Sequence, residues 1–190
     1  CAASTHSGEE EIILKTHIQL KSKGINVVTI IIPRHIARSK NILKMCNDYK
    51  LNSQIVKKYH EISKENEVLI INTIGEMIYY FNNCNSVFVG KSFSKKLIKV
   101  GGQNPIEPVK CGCKIYHGPY VSNFKEIFSF LNQKKIAYEV VNENDLSENL
   151  FKDFTSNNTS NREHITEINN YGEKILTLTT KEVLKIKNEI

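Results

Sequence analysis

The sequence predicts an α/β fold in which helices cover both faces of a doubly wound parallel sheet. The first observation is that short apolar runs rich in Val and Ile alternate with stretches of helical periodicity. The second is that two of these runs, residues 26–32 and 68–72, are almost continuously apolar, which is typical of strands buried on both faces. The third is the length of 190 residues, which suits one hydrophobic core.

The remaining elements follow from the same alternation. Strands are predicted at 54–56, 86–90, 114–118 and 137–142, and helices at 8–23, 123–134 and 145–154. Ser7 and Glu10 have the spacing of a capping box for the first helix, and Asp145 is predicted to cap the last of these three. Pro105 and Gly112 bracket a further short helix.

The last part of the chain changes in character. The segment TSNNTSNR, residues 155–162, is polar and predicts a linker. Residues 163–190 return to a helical pattern, with Gly172 as a predicted kink or break. We therefore expect a domain over residues 1–154, followed over 155–190 by a linker and closing helices that belong to the same domain.

Composition and charge argue against several classes of protein. The net charge of +6 comes mostly from lysines scattered along the chain rather than gathered with aromatic residues in one stripe, so we do not expect nucleic-acid binding. The five cysteines form neither an even framework nor a CxxC pair, which disfavours a disulfide scaffold or a zinc site and favours a reducing, cytosolic compartment. No apolar run in the sequence approaches the roughly 18 residues of a membrane span.

The functional predictions concern the loops after strands, because ligands bind at the carboxyl ends of strands in an open parallel sheet. The strongest is GGQNPIEP, residues 101–108, where two glycines allow close backbone approach to a ligand and Pro105 opens a helix whose N-terminus favours an anion. We expect a phosphate there, with Glu107 accepting hydrogen bonds from a ribose diol. A glycine-rich surface loop without a ligand is the alternative.

Other polar residues in these loops have two interpretations each. Arg34 follows a buried strand and either offers its planar guanidinium to a phosphate or carboxylate, or is an ordinary helix-entry residue. His6 and His35 are either acid–base groups or structural histidines. The helix dipole alone accounts for Glu9 and Glu10 in a first turn. No carboxylate pair follows a strand and the GxGxxG fingerprint is absent from the sequence, so neither a metal site nor a dinucleotide cofactor is predicted.

Six motifs occur in one order along residues 1–142, each weak alone and specific together. They are AASTHSGEEE at 2–11, PRH at 33–35, TIGEM at 73–77, VGKS at 89–92, GGQNPIEP at 101–108 and HGPYVSNFKEI at 117–127. In these motifs the chain resembles the 3-deoxy-D-manno-octulosonic acid (Kdo) transferases, in their carboxy-terminal half. The resemblance implies the Rossmann-like carboxy-terminal domain of a GT-B glycosyltransferase, with residues 1–154 binding a nucleotide sugar.

The resemblance also implies a site for the donor, CMP-Kdo. The residues it assigns to that site are Pro33 and Arg34 for the CMP moiety, Ile74, Gly75 and Glu76 for cytidine, and Asn104, Pro105, Ile106 and Glu107 for phosphate and ribose. Secondary candidates are Thr5, His6, Ser92 and Gly102. The chain departs from the family at Gln103, where many members have His, and at Lys91, where many have Gly.

By resemblance, the intact enzyme would transfer Kdo from CMP-Kdo to a lipid A precursor, lipid IVA, in lipopolysaccharide biosynthesis, in peripheral contact with the cytoplasmic face of the bacterial inner membrane. The catalytic base and the acceptor would be held by an amino-terminal domain. Residues 1–4 look like the end of a strand, so we expect a fragment that is inactive alone. Two alternatives stay open: a non-catalytic nucleotide-binding module or split-gene remnant, and a basic RNA-associated protein.

Overall fold

The computed structural model describes residues 1–58, 62–156 and 162–188. Its strands are β1 (Ala2–Thr5), β2 (Thr29–Pro33), β3 (Ser53–Val56), β4 (Val68–Ile71), β5 (Ser86–Val89), β6 (Lys114–His117) and β7 (Ala137–Glu139). Its α-helices are α1 (Glu9–Ser22), α2 (Ser39–Asp48), α3 (Met77–Phe81), α4 (Ile106–Lys110), α5 (Lys125–Gln133), α6 (Glu143–Thr155) and α7 (Arg162–Asn188). Short 3-10 turns lie at Ile36–Arg38, Lys95–Leu97 and Ser122–Phe124.

The strands form one sheet in the order β3-β4-β2-β1-β5-β6-β7, and every pairing is parallel. β1 lies at the centre. The strands up to residue 71, namely β2, β4 and β3, lie on one side of it, and the strands from residue 86 onward, namely β5, β6 and β7, lie on the other. The predicted doubly wound parallel sheet is confirmed, and the architecture is Rossmann-like.

The core consists of two apolar layers, one on each face of the sheet. Successive residues of a strand point to opposite faces, so Ile31 belongs to one layer and Ile32 to the other. Helices α1, α2 and α6 cover the face of Ile31, and helices α3, α4 and α5 cover the face of Ile32. Every residue of β4 and β5 is buried, as expected for strands covered by helices on both sides.

The start of α1 differs from its prediction. Gly8, with a left-handed φ of 93°, is the N-cap residue, and none of the described side chains caps this helix. The predicted capping box of Ser7 and Glu10 is therefore wrong. The reason is that Glu10 turns into the protein, where its carboxylate pairs with the guanidinium of Arg38. Such a charged, two-pronged contact is stronger than a single capping bond.

The start of α6 also differs. The helix begins at Glu143, because Asn142 is the N-cap and its side-chain oxygen accepts the backbone N–H of Asp145 at 3.0 Å. Asp145 therefore lies inside the first turn, and its assignment as the cap is wrong. β7 ends at Glu139, earlier than predicted.

The long helix α7 is continuous. Ile168 near its start is 2% exposed and anchors it to the layer that covers Ile32. The helix passes through Gly172, so the predicted break is wrong; an exposed glycine costs a helix only about 1 kcal/mol. Of the predicted linker, Thr155 ends α6, Arg162 begins α7, and 157–161 lie outside the described residues. In the described part of the chain, α7 and the other helices lack the length or the apolar character needed to cross a bilayer.

The first glutamate of α1 is buried and joins two loops. Glu9 is 1% exposed. Its Oε2 accepts hydrogen bonds from the backbone N–H groups of His6 and Lys91, both at 2.8 Å. Its Oε1 accepts from those of Ser92 at 2.7 Å and Phe93 at 3.1 Å. One carboxylate thus receives four donors and ties the loop after β1 to the loop after β5.

The next two glutamates have different environments. Glu10 is fully buried and accepts two hydrogen bonds from Arg38, at 2.5 and 2.9 Å, and one from the Thr5 hydroxyl at 2.8 Å. It therefore ties β1 to the turn after β2. Glu11 is exposed and pairs with Lys15, one helical turn later, at 2.8 Å. Glu11 also accepts a longer, exposed hydrogen bond from the Tyr49 hydroxyl at 3.3 Å, so only the first two of the three carboxylates hold separate segments together through buried contacts.

We expect Glu9→Gln to lower the free energy of unfolding by about 2–4 kcal/mol, because an amide presents one oxygen and leaves two buried N–H groups facing its own NH2. Chemical denaturation followed by circular dichroism measures the change. Glu11→Gln is the matched control, since it makes the same chemical change two residues along on a solvated surface and should leave the unfolding midpoint nearly unchanged. Equal effects of the two substitutions would contradict the role given to Glu9.

Candidate functional site

The carboxyl ends of β1 and β5 flank the point where the strand order reverses. In folds of this class the reversal opens a crevice between the loops that follow the two strands, and ligands bind there. Each of the six sequence motifs spans or follows the carboxyl end of a strand, so all of them contribute to this edge of the sheet. The loops that the sequence singled out are therefore neighbours in the fold.

The loop after β5 is fixed by close contacts. A Cβ atom on Gly90 would lie 2.6 Å from the carbonyl oxygen of Ser4, so only glycine fits at this position. Ser92 is fully buried, and its hydroxyl donates to the carbonyl of Val89 and accepts the N–H of Gly118, both at 2.9 Å. The hydroxyl of Ser92, a secondary site candidate, is thus engaged in joining the loops after β5 and β6.

The glycine pair at 101–102 also packs against the protein itself. A Cβ on Gly101 would lie 2.2 Å from the carbonyl oxygen of Tyr120, and the N–H of Gly102 donates to the carbonyl of Lys91 at 2.6 Å. Gly102 has a left-handed φ of 90°. The sequence predicts that these glycines allow a ligand to approach; in the structure, the backbone of two neighbouring loops lies close to them.

The segment after this glycine pair leads into α4. Pro105 is the N-cap residue and is buried, whereas Asn104 and Glu107 are exposed. The side-chain oxygen of Asn104 accepts the N–H of Ile106 at 3.0 Å. One of the N–H groups that the sequence assigned to a phosphate is therefore already occupied, and Glu107 is the exposed charged group of this turn.

The end of β2 meets the end of β1. Pro33 is the last residue of β2 and is buried, and the N–H of Arg34 donates to the carbonyl of Thr5 at 3.0 Å while its side chain is exposed. The rings of His6 and His35 lie edge to face with centroids 6.1 Å apart. The structure thus brings Arg34 and both loop histidines together, while the hydroxyl of Thr5 is buried against Glu10.

The loop after β4 is the most exposed of the predicted segments. Ile74 is 84% exposed, Gly75 has a left-handed φ of 87°, and Glu76 is the N-cap residue of α3. Because α3 packs against α4, this loop and the segment of Asn104 precede neighbouring helices. Among the described residues, no hydrogen bond or ion pair joins either segment to Arg34, so the predicted site residues form two groups along one edge.

A separate cavity of about 300 Å³ lies at the opposite edge of the sheet. Its walls include the amino ends of β1, β2 and β5 together with apolar side chains of α1 and α6. His17 is 1% exposed there, its Nδ1 is 2.9 Å from the hydroxyl oxygen of Thr29, and burial lowers its pKa. This cavity contains none of the predicted site residues, and the position of the strand ends favours the carboxyl edge as the ligand crevice.

Thiol and metal chemistry receives no support from the described residues. The cysteines are free, and burial raises the pKa of Cys113 to about 12, which keeps this thiol protonated and unreactive. Within 1–58, 62–156 and 162–188, no three side chains of His, Cys, Asp or Glu are grouped so that they could hold a metal ion.

No protein-family model matches the chain. A 3-deoxy-D-manno-octulosonic acid transferase of Haemophilus influenzae is 35% identical to it over 140 residues, which are 73% of this chain and 32% of that protein. A protein of the same name from Rickettsia prowazekii is 29% identical over 187 residues, 98% of this chain and 38% of its own length. The chain thus spans about a third of the length of these relatives.

Among solved structures, the C-terminal CMP-Kdo-binding domain of WaaA from Acinetobacter baumannii has the same fold. The TM-score is 0.76, the match covers 89% of this chain and 86% of that domain, and 20% of the aligned residues are identical. The structural match establishes the fold, and the sequence matches establish the kinship. The chain is therefore a relative of the Kdo transferases that has the fold of a carboxy-terminal CMP-Kdo-binding domain.

Proposed function

We propose that this chain is the donor-binding part of a Kdo transferase and holds CMP-Kdo while Kdo is transferred to lipid IVA, a precursor of lipid A, in lipopolysaccharide biosynthesis. The observation that carries the proposal is that all six motifs lie along the carboxyl edge of the sheet, the edge that contains the crevice between β1 and β5. Kinship with proteins named Kdo transferases and a fold shared with a CMP-Kdo-binding domain support it.

The exposed side chains of the crevice suit the parts of a cytidine nucleotide. The guanidinium of Arg34 offers paired N–H donors to the CMP phosphate, next to Pro33. Ile74 presents an apolar side chain to the face of the base, and the exposed carboxylate of Glu107 accepts hydrogen bonds from ribose hydroxyls. The backbone around these side chains completes the site through Gly75, Glu76, Asn104, Pro105 and Ile106, with His6 and Gly102 at its margin.

The chemistry assigned to this part of the enzyme is stabilisation of the leaving group. When the bond between Kdo and the CMP phosphate breaks, negative charge develops on CMP, and a fixed positive charge at Arg34 lowers the energy of that state. No catalytic base is assigned to this chain. Deprotonation of the acceptor hydroxyl belongs to an amino-terminal acceptor domain, in peripheral contact with the cytoplasmic face of the bacterial inner membrane.

The donor assignment predicts selective binding of CMP. Calorimetric titration of the 190-residue chain should show weak binding of CMP. AMP and UMP should bind at least about fivefold more weakly than CMP, because on this proposal the loop of Ile74 contacts the base. We expect the affinity to be low because the titration contains only this chain, without the acceptor part that would close over the donor. Equal affinity for the three nucleotides, or none for CMP, would contradict the proposal.

Glu107→Gln should weaken CMP binding about tenfold, since a neutral amide is a poorer acceptor for ribose hydroxyls than a carboxylate. The same titration measures the effect. Glu126→Gln is the control, because Glu126 also lies in the first turn of a short helix, α5, and only its interaction with the helix dipole is lost. If the two variants bind CMP with the same affinity, Glu107 interacts only with the dipole of α4 and does not contact the ligand.

Transfer itself should need both parts of the enzyme. In an assay with radiolabelled CMP-Kdo and lipid IVA, the chain alone should give no product, because it positions no acceptor. Addition of the amino-terminal part of a relative should restore transfer, and Arg34→Ala should then reduce the rate strongly. Turnover by the chain alone contradicts this division of labour, and CMP binding without transfer in the mixture would favour the non-catalytic module.

A further inference from the structure

Four described residues other than glycine have a left-handed backbone. They are Ser4, Lys50, Lys91 and Lys135, with φ between 56° and 61°. Lys50 and Lys135 directly follow the C-cap residues of α2 and α5, a place where this conformation is common. Ser4 and Lys91 end no helix; they lie at the carboxyl ends of β1 and β5, on the two sides of the crevice.

The conformation of Lys91 is imposed by its surroundings. Its N–H donates to Oε2 of the buried Glu9 at 2.8 Å, and its carbonyl accepts the N–H of Gly102 at 2.6 Å. The preceding Gly90 is wedged against the backbone of Ser4. A lysine is held here at a cost in free energy that glycine would avoid, and such strain in an over-determined backbone occurs preferentially at ligand contacts.

The side chain of Lys91 carries a charge that the described protein leaves uncompensated. It is partly exposed, and no described carboxylate forms an ion pair with its ammonium group. Glu9, the carboxylate nearest in the hydrogen-bond network, directs both oxygens to four backbone N–H groups. The exposed Lys95, Lys96 and Lys99 of the same loop add further positive charge.

We propose that Lys91 forms an anion subsite in the crevice between β1 and β5 and binds an anionic group of the donor, either its phosphate or the carboxylate of its sugar acid. This inference rests on the proposed function, because it takes the crevice as the donor site. The fixed backbone places the root of the Lys91 side chain beside the crevice, within reach of a bound anion, and the strained conformation is retained because the charge is needed at that place.

Calorimetry with the 190-residue chain tests the subsite, using CMP-Kdo, CMP and cytidine as probes. Lys91→Gly relieves the strain and removes the charge, and Lys91→Gln removes the charge while it keeps a side chain. Both should weaken CMP-Kdo binding about tenfold, as expected for one lost charged contact. Neither Lys91 variant should change the binding of cytidine.

Lys135→Gly is the matched control, because it removes a lysine of the same conformation just before β7, at the opposite edge of the sheet. It should leave the binding of all three probes unchanged. The Tm of both glycine variants should stay the same or rise by a few degrees, which separates loss of binding from loss of folding.

The probes also separate the sources of the anion. If the Lys91 variants bind CMP-Kdo more weakly but bind CMP normally, the anion at Lys91 is the sugar carboxylate. If they bind both CMP-Kdo and CMP more weakly, and by the same factor, the anion is the phosphate. Lys91 variants that bind both as tightly as the unsubstituted chain overturn the subsite while the donor assignment stands. If the unsubstituted chain binds neither CMP nor CMP-Kdo, the proposed function fails and the subsite fails with it.

Discussion

The carboxylate of Glu9 makes the contacts on which the carboxyl edge of the sheet depends. A buried charge is tolerated only when it is paired or fully hydrogen-bonded, and Glu9 meets that condition with four backbone N–H groups from two loops. Those loops follow β1 and β5, the strands on either side of the reversal in strand order. Two further hydrogen bonds connect the loop after β5 to its neighbours. The N–H of Gly118 donates to the Ser92 hydroxyl, and the N–H of Gly102 donates to the carbonyl of Lys91.

This bracing divides the edge into a rigid frame and a set of exposed side chains. The frame consists of loop backbone that is fixed by hydrogen bonds to other backbone groups, to the Ser92 hydroxyl and to the buried carboxylate of Glu9, and the buried carboxylate of Glu10 adds hydrogen bonds from side chains. The side chains of Arg34 and Glu107, which extend from segments joined to this frame, are exposed. On the proposed function, a nucleotide would meet donors and acceptors whose backbone is already in position, which is the condition for strong electrostatic stabilisation without reorganisation.

Sequence reasoning found the sheet and the loops that line it, because apolar alternation and turn residues are local signals. It missed the role of Glu9, since a helix dipole explains a first-turn glutamate equally well and its N–H partners at the loop after β5 are 82 to 84 residues away. It also placed the α6 cap at Asp145, because Asn142 and Asp145 are both good caps and only the backbone path selects between them.

The separation between Glu9 and its partners has a consequence for how the crevice opens. A loop held by near neighbours can unfold alone, but this one is held across more than half of the Rossmann-like unit. Its amide hydrogens at Lys91, Ser92 and Phe93 should therefore exchange with solvent only when this loop and the first turn of α1 part from each other, a larger opening than fraying of the loop alone. The loop after β5 would then exchange its amide hydrogens almost as slowly as the strands of the core.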